Sequence, residues 1–253
     1  LAKLASVLHW GFGRELGDTM IKKVFAAAAA VFVMSSAANA SVLDFAAFAD
    51  ANGERGYNDG ALLRIGGERV GLISLPESFT NSNGVQIVEG NPYLDAGDAG
   101  LGLCRTLDAA LQCAPSSDDS VQGVTIDGEL FAESIGVVFS IQQDVTELVF
   151  RDGDHRLISE DNDGLVDFYS NGGLFAGTFL FSELMALAVA GDAIFRDTNF
   201  IGFAWVDTAF YLSSATISAV AEVPLPGALP LIISGIAGLG FASRRRKEDA
   251  ALL

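Results

Sequence analysis

The sequence predicts an all-β fold, an antiparallel β-sandwich of jelly-roll-like form. Three observations predict it. Short runs of β-branched and aromatic residues recur between clusters of Gly, Asn and Asp, the pattern of strands and turns. No long segment carries the 3.6-residue apolar period of an amphipathic helix. Once an apolar segment is set aside at each end, residues 41–222 remain, enough for one domain with a sizeable core and no need of a second.

In chain order the first strand candidates are SVLDFAAFA from residue 41, ALLRIG from 61, RVGLISL from 69, VQIVEG from 85 and GVTIDG from 123. Each is a short apolar run with Gly, Asp or Asn close by to turn the chain. In SIGVVFSI, Ile135, Val137, Phe139 and Ile141 share one face, and in TELVFRD Leu148 and Phe150 do. The spacing predicts that these two segments pair as a hairpin across the intervening QQDV, apolar sides aligned. RLIS, LVDFYS, GTFLFS, FIGFAWVD and AFYLSSATISAV complete the set. SELMALAVA, residues 182–190, fits a short helix or a strand, because so short an apolar run has no decisive period. Two sheets built from such strands bury alternate residues in one shared core.

The ends carry addresses. Met20, Lys22 and Lys23 precede an apolar run at 24–33 and the small residues Ala38, Asn39 and Ala40, the make-up of a secretory signal peptide over 20–40 with cleavage at Ala38 to Ala40. Residues 1–19 carry both charge signs and resemble no targeting element, so translation is expected to start at Met20, with 1–19 an upstream artefact. Near the other end, residues 228–242 are apolar. About 15 residues of helix rise only about 22 Å against a hydrocarbon core of about 30 Å, marginal for a permanent transmembrane anchor. Arg244, Arg245, Arg246 and Lys247 follow, and such a cluster resists translocation, leaving 248–253 as a cytoplasmic tail. Pro224, Pro226 and Pro230 keep the stretch before the apolar run extended, a shape another protein can grip and cut. Positive charge flanks both apolar segments, so the precursor is expected to be held at both ends with its middle exported.

The order of Val223, Pro224, Leu225, Pro226 and Gly227, a short apolar helix and an arginine cluster resembles the PEP-CTERM sorting signal in its VPLPA variant. Gly227 stands where that variant usually has alanine. Within residues 93–155, YLDAGDAGLGLCRTLDAALQCAPSSDDS and ESIGVVFSIQQDVTELVFRDGDH resemble a β-rich body recurring among PEP-CTERM proteins, with Ala114 and Ser120 where asparagine is usual. The resemblance implies signal peptidase and an exosortase-like enzyme as processing partners in a Gram-negative bacterium. It implies an inner-membrane-tethered precursor, the tether transient or retained, and then a place at the cell surface or in the extracellular matrix beside envelope or extracellular polysaccharide.

Charge and chemistry narrow the role. The formal net charge is −17, and the basic residues concentrate at the two ends, so the body is more acidic still. This argues against nucleic acid or anionic lipid as a partner, since phosphate binding needs basic side chains. Cys104 and Cys113, in an exported chain with only His9 and His155 as imidazoles, are expected to form a disulfide rather than hold a metal. In SEDNDGLVD, Asp161, Asp163, Gly164 and Asp167 fall at the third, fifth, sixth and ninth places of a calcium loop. Ser159 and Ser170 occupy its first and twelfth places, where carboxylates belong, and NDG also reads as a plain hairpin turn between RLIS and LVDFYS. Calcium is thus the one cofactor the sequence raises. Asp118, Asp119, Asp152, Asp154 and His155 form a second polar set, largely acidic, that converges on an ion only if their segments pack together, and Asp-rich turns on solvated loops are the commoner case. His155 is the sole histidine of the body, and no G-x-S-x-G elbow accompanies it, so no enzyme is expected. Carbohydrate binding is the alternative role, with Trp205, Tyr169, Tyr93 and Tyr211 as candidate platforms.

Overall fold

The computed structural model describes residues 40–115 and 119–220. The upstream stretch 1–19, the signal peptide through Asn39, Asp118, the box at 223–227, the apolar run 228–242, the basic cluster 244–247 and the tail lie outside the described residues.

β1 (Ala40–Asp44) passes directly into α1 (Phe45–Asn52), where the sequence predicts one strand through both. The strand stops because the Asp44 carboxylate accepts the Ala47 N–H at 2.8 Å and caps a helix of alanine-rich sequence. Phe45, Ala46 and Ala49 of α1 are buried. β2 (Arg55–Gly56), β3 (Ala61–Ile65), β4 (Glu68–Ile73), β5 (Asn91–Asp95) and β6 (Gly100–Cys104) follow. Next comes the separate hairpin of β7 (Gly123–Ile126) and β8 (Glu129–Ala132), closed by Asp127 and Gly128, both at positive φ as a two-residue hairpin turn requires.

The decisive element is β9 (Ser134–Asp152), 19 residues long. The hairpin expected across QQDV does not form: Gln, Asp and Val supply neither a glycine nor an Asn-Gly pair for a tight turn, and the strand runs straight through. Beyond it lie β10 (Leu165–Ser170), β11 (Leu174–Leu180), α2 (Phe181–Ala190), a 3-10 turn (Ala193–Phe195), β12 (Thr198–Trp205) and β13 (Phe210–Ala219). α2 resolves the helix-or-strand ambiguity toward helix. It buries Phe181, Leu184 and Ala188 and stops at Gly191, whose left-handed backbone (φ 67°) donates to the Leu187 and Ala188 carbonyls. The expected RLIS strand reduces to one bridge, Arg151 to Leu157, and VQIVEG to bridges at Gln86 and Ile87.

Eleven strands form one antiparallel sheet in the order β11-β10-β12-β9-β13-β6-β5-β2, with β1 added on β13 and β4 then β3 on β9. β9 is shared along its length. Its first half pairs with β12 (Ser134 to Ala204) and β4 (Phe139 to Val70), and its second half pairs with β13 (Asp152 to Phe210). Register shifts mark the change. Glu147 faces Thr216 while Val145 faces Ile217, so Thr146 is an extra residue in β9. The bulge flips the alternation, and Ile135, Val137 and Phe139 before it and Leu148 and Phe150 after it are all buried. Ile141, expected on the same face, is 58% exposed. One core unites both halves: the Phe150 ring lies 4.9 Å from Phe181, 5.1 Å from Phe203 and 5.9 Å from Phe210. Each such aromatic pair adds about 1 kcal/mol beyond area burial.

Candidate functional site

Two turns and two strands meet at a polar cluster. Asp95 ends β5, and Gly97 and Asp98 of the following turn both adopt positive φ. The second turn is built by Asp152 at the end of β9. Its Oδ1 accepts the Asp154 and Arg156 N–H groups at 3.0 and 2.9 Å, and its Oδ2 accepts Arg156 Nε at 3.0 Å and Asn162 Nδ2 at 3.1 Å. Burial pushes this carboxyl upward, but these hydrogen bonds and the Arg156 charge outweigh it and hold it below the ordinary carboxylate range. The turn thrusts His155, at φ 64°, toward β5. There His155 Nε2 lies 3.0 Å from Asp95 Oδ2 and Nδ1 lies 3.2 Å from the Gly97 carbonyl. Both ring nitrogens thus face oxygen, an arrangement that satisfies an imidazolium fully or a neutral ring beside a protonated Asp95.

β13 contributes the fourth wall. The Tyr211 ring meets His155 edge-on at 5.2 Å, and its hydroxyl donates to Asp119 Oδ1 at 2.7 Å. Burial, then the hydrogen bond and charge of Asp119, raise the Tyr211 phenol far above its usual range, so it is a permanent donor here. Burial first and Asp119 second push Asp95 up to about 6, against the opposing pull of His155. Asp119 and His155 of the second polar set thus come near one another only through Tyr211, and among the described residues they belong to no group placed to hold an ion. Asp152 and Asp154 instead bind Arg156. Asp95 and Tyr211 were missed as members of the cluster. The signal that could have found Asp95 is its place beside AGDAG, a turn rich in glycine at the end of a strand.

Beside this cluster the Cys104–Cys113 disulfide is formed, with Cα atoms 5.7 Å apart. Its loop is fastened to β2 by Gly56 N–H to the Leu111 carbonyl at 2.8 Å, and a β-carbon on Gly56 would collide with Leu107. The Tyr93 hydroxyl donates to Glu54 Oε1 at 2.6 Å, and Gln112 Nε2 donates to the Glu54 carbonyl at 2.8 Å. Burial and Glu54 raise the Tyr93 phenol, as they should for a group used as a donor.

The residues of the expected calcium loop are not brought together. Asp161 is exposed. Asp163 accepts from Ser182, by N–H at 3.2 Å and by hydroxyl, and so caps α2. Asp167 is fully buried and accepts Ser82 N–H at 2.5 Å and Thr178 Oγ1 at 2.6 Å. Among the described residues no group of three or more His, Cys, Asp or Glu is placed to hold a metal ion. NDG is not a hairpin turn either, since β10 pairs with β11 and β12 and not with RLIS. Of the four aromatic candidates for sugar binding, Tyr93, Tyr169 and Tyr211 are buried, and Trp205 is half-buried against Gly123. Burial and the neighbouring Asp167 charge push Tyr169 up to about 12.

Among the described residues no helix is long and apolar enough to cross a membrane. Comparison with protein-family models, with curated proteins and with solved structures finds no match to the chain.

Proposed function

We propose that the chain is an exported, non-catalytic surface or extracellular-matrix protein, delivered by the signal peptide at 20–40 and sorted through the PEP-CTERM-like tail by an exosortase-like enzyme. The observation that carries this reading is the Cys104–Cys113 disulfide, a bond that persists in oxidising compartments and is rare in a reducing cytosol. The sheet register adds a second support. Ala40 pairs with Ser218, so the strand that begins at the expected cleavage site lies against the strand that leads toward the sorting box. A body whose first and last strands are neighbours can be tethered by both flanking segments without being pulled apart. We read the fold itself as a sandwich made by one sheet folded upon itself along β9, with the phenylalanine core between its halves.

The His155, Asp95, Tyr211 and Asp119 cluster acts in this reading as a clasp. It joins the turn after β5 to the turn after β9, with Asp95 and Tyr211 buried and the His155 side chain 36% exposed at its rim. The test is the native host with and without its exosortase, followed by terminal sequencing. The expected product begins at Ser41 in both strains, ends within residues 223–227 only when the enzyme is present, and accumulates as a membrane-bound precursor when it is absent. Identical, unprocessed chains in both strains contradict the proposal.

A further inference from the structure

β11 is an outer strand of the large sheet, and among the described residues it pairs with β10 alone. Exposed sheet edges offer unpaired N–H and C=O groups to any second strand, and proteins ordinarily blunt them with charge or proline. Other outer strands of this sheet carry a charge: Asp44 in β1, Arg55 in β2 and Arg64 in β3. β11, LFAGTFL, carries neither charge nor proline, and the whole run 168–182 is uncharged. Three of its apolar side chains are out in solvent, Leu174 69%, Phe175 53% and Leu180 43% exposed, while Ala176 and Phe179 pack against the core.

We infer that this edge pairs with the same edge of a second copy of the chain, antiparallel across a two-fold axis. Charge selects that occupant. Two chains of net charge −17 repel over most of their surfaces, and this uncharged edge is where identical copies can approach without opposing like charges. The register follows from the faces. Phe168 faces Gly177 while Tyr169 faces Phe175, so Ala176 is an extra residue in β11. As a result Leu174 and Phe179 lie on one side of the sheet, and Phe175, Thr178 and Leu180 on the other. An axis between Ala176 and Gly177 is the one that matches sides throughout: Leu174 meets the other copy's Phe179, Phe175 meets its Thr178, and the two smallest residues meet at the centre. Backbone hydrogen bonds then supply the attachment and apolar cross-strand pairs the register, a self-complementary interface of closed symmetry.

The test uses the full chain in mild detergent, by sedimentation over a dilution series together with amide hydrogen exchange. The expected result is a dimer that dissociates on dilution, with the 174–180 amides protected in the dimer and exchanging in the monomer. The variant L174E sets a carboxylate against the other copy's Phe179 at both ends of this register, between two chains that are already acidic, and should weaken association about tenfold or more. L174M keeps the apolar contact and should retain association. Association unchanged in L174E overturns the inference. So does a chain that stays monomeric throughout, or protection of these amides that is independent of concentration, which would mean that the chain covers its own edge.

Discussion

Asp95 shows how one residue reports on its surroundings. A carboxyl pushed from the usual 3.8 to about 6 binds its proton more tightly in the folded than in the unfolded chain. Ionised Asp95 therefore costs stability above pH 6, and that cost is relieved as the pH falls through about 6 toward 3.8, where both states are protonated. The stability of the wild type relative to Asp95→Asn should accordingly rise as the pH falls through this window, measured by denaturant unfolding at each pH. A constant difference would show that the carboxyl titrates as though exposed. Asp119, His155, Tyr211 and Glu54 all face Asp95, and none lies near it in sequence. That is why the cluster was only half legible. The sequence offered Asp119 and His155 as candidates, while the membership of Asp95 and Tyr211 depends on which strands lie side by side.

At the scale of elements, turn chemistry and propensity could be read where they were local. DG between β7 and β8 turns as a two-residue hairpin, and GDAIF after α2 brings the αL glycine that ends it. What escaped was set by distant partners. GLGLC, with two glycines and no β-branched residue, has little strand propensity, yet β6 is buried throughout because β5 and β13 flank it. QQDV stays extended because it has strands to pair with, not because its residues demand it. The SEDNDGLVD reading failed for the same reason: ligand spacing can be seen in a sequence, but the Ser182, Ser82 and Thr178 donors that claim Asp163 and Asp167 cannot. Asp163→Ala should remove the cap of α2, costing about 1 kcal/mol and speeding hydrogen exchange at the first amides of the helix. Added calcium should leave the melting temperature of the wild type unchanged, and a rise would restore the metal loop.

For the molecule as a whole, the all-β class was legible because strand-length runs and turn residues recur through the body. The continuity of the sheet was not, because bulges at Thr146 of β9 and Ser213 of β13 decide it by switching which side faces the core. Those same bulges let one 19-residue strand serve both halves. The account's central claim is that this body forms after export, with its disulfide closed and its first and last strands paired. Differential alkylation at the moment of lysis, followed by intact-mass analysis of each cell fraction, tests it most directly. The account predicts chain in the envelope or extracellular fraction, beginning at Ser41, with no cysteine alkylated. Full-length chain in the cytosolic fraction with both Cys104 and Cys113 alkylated would contradict it.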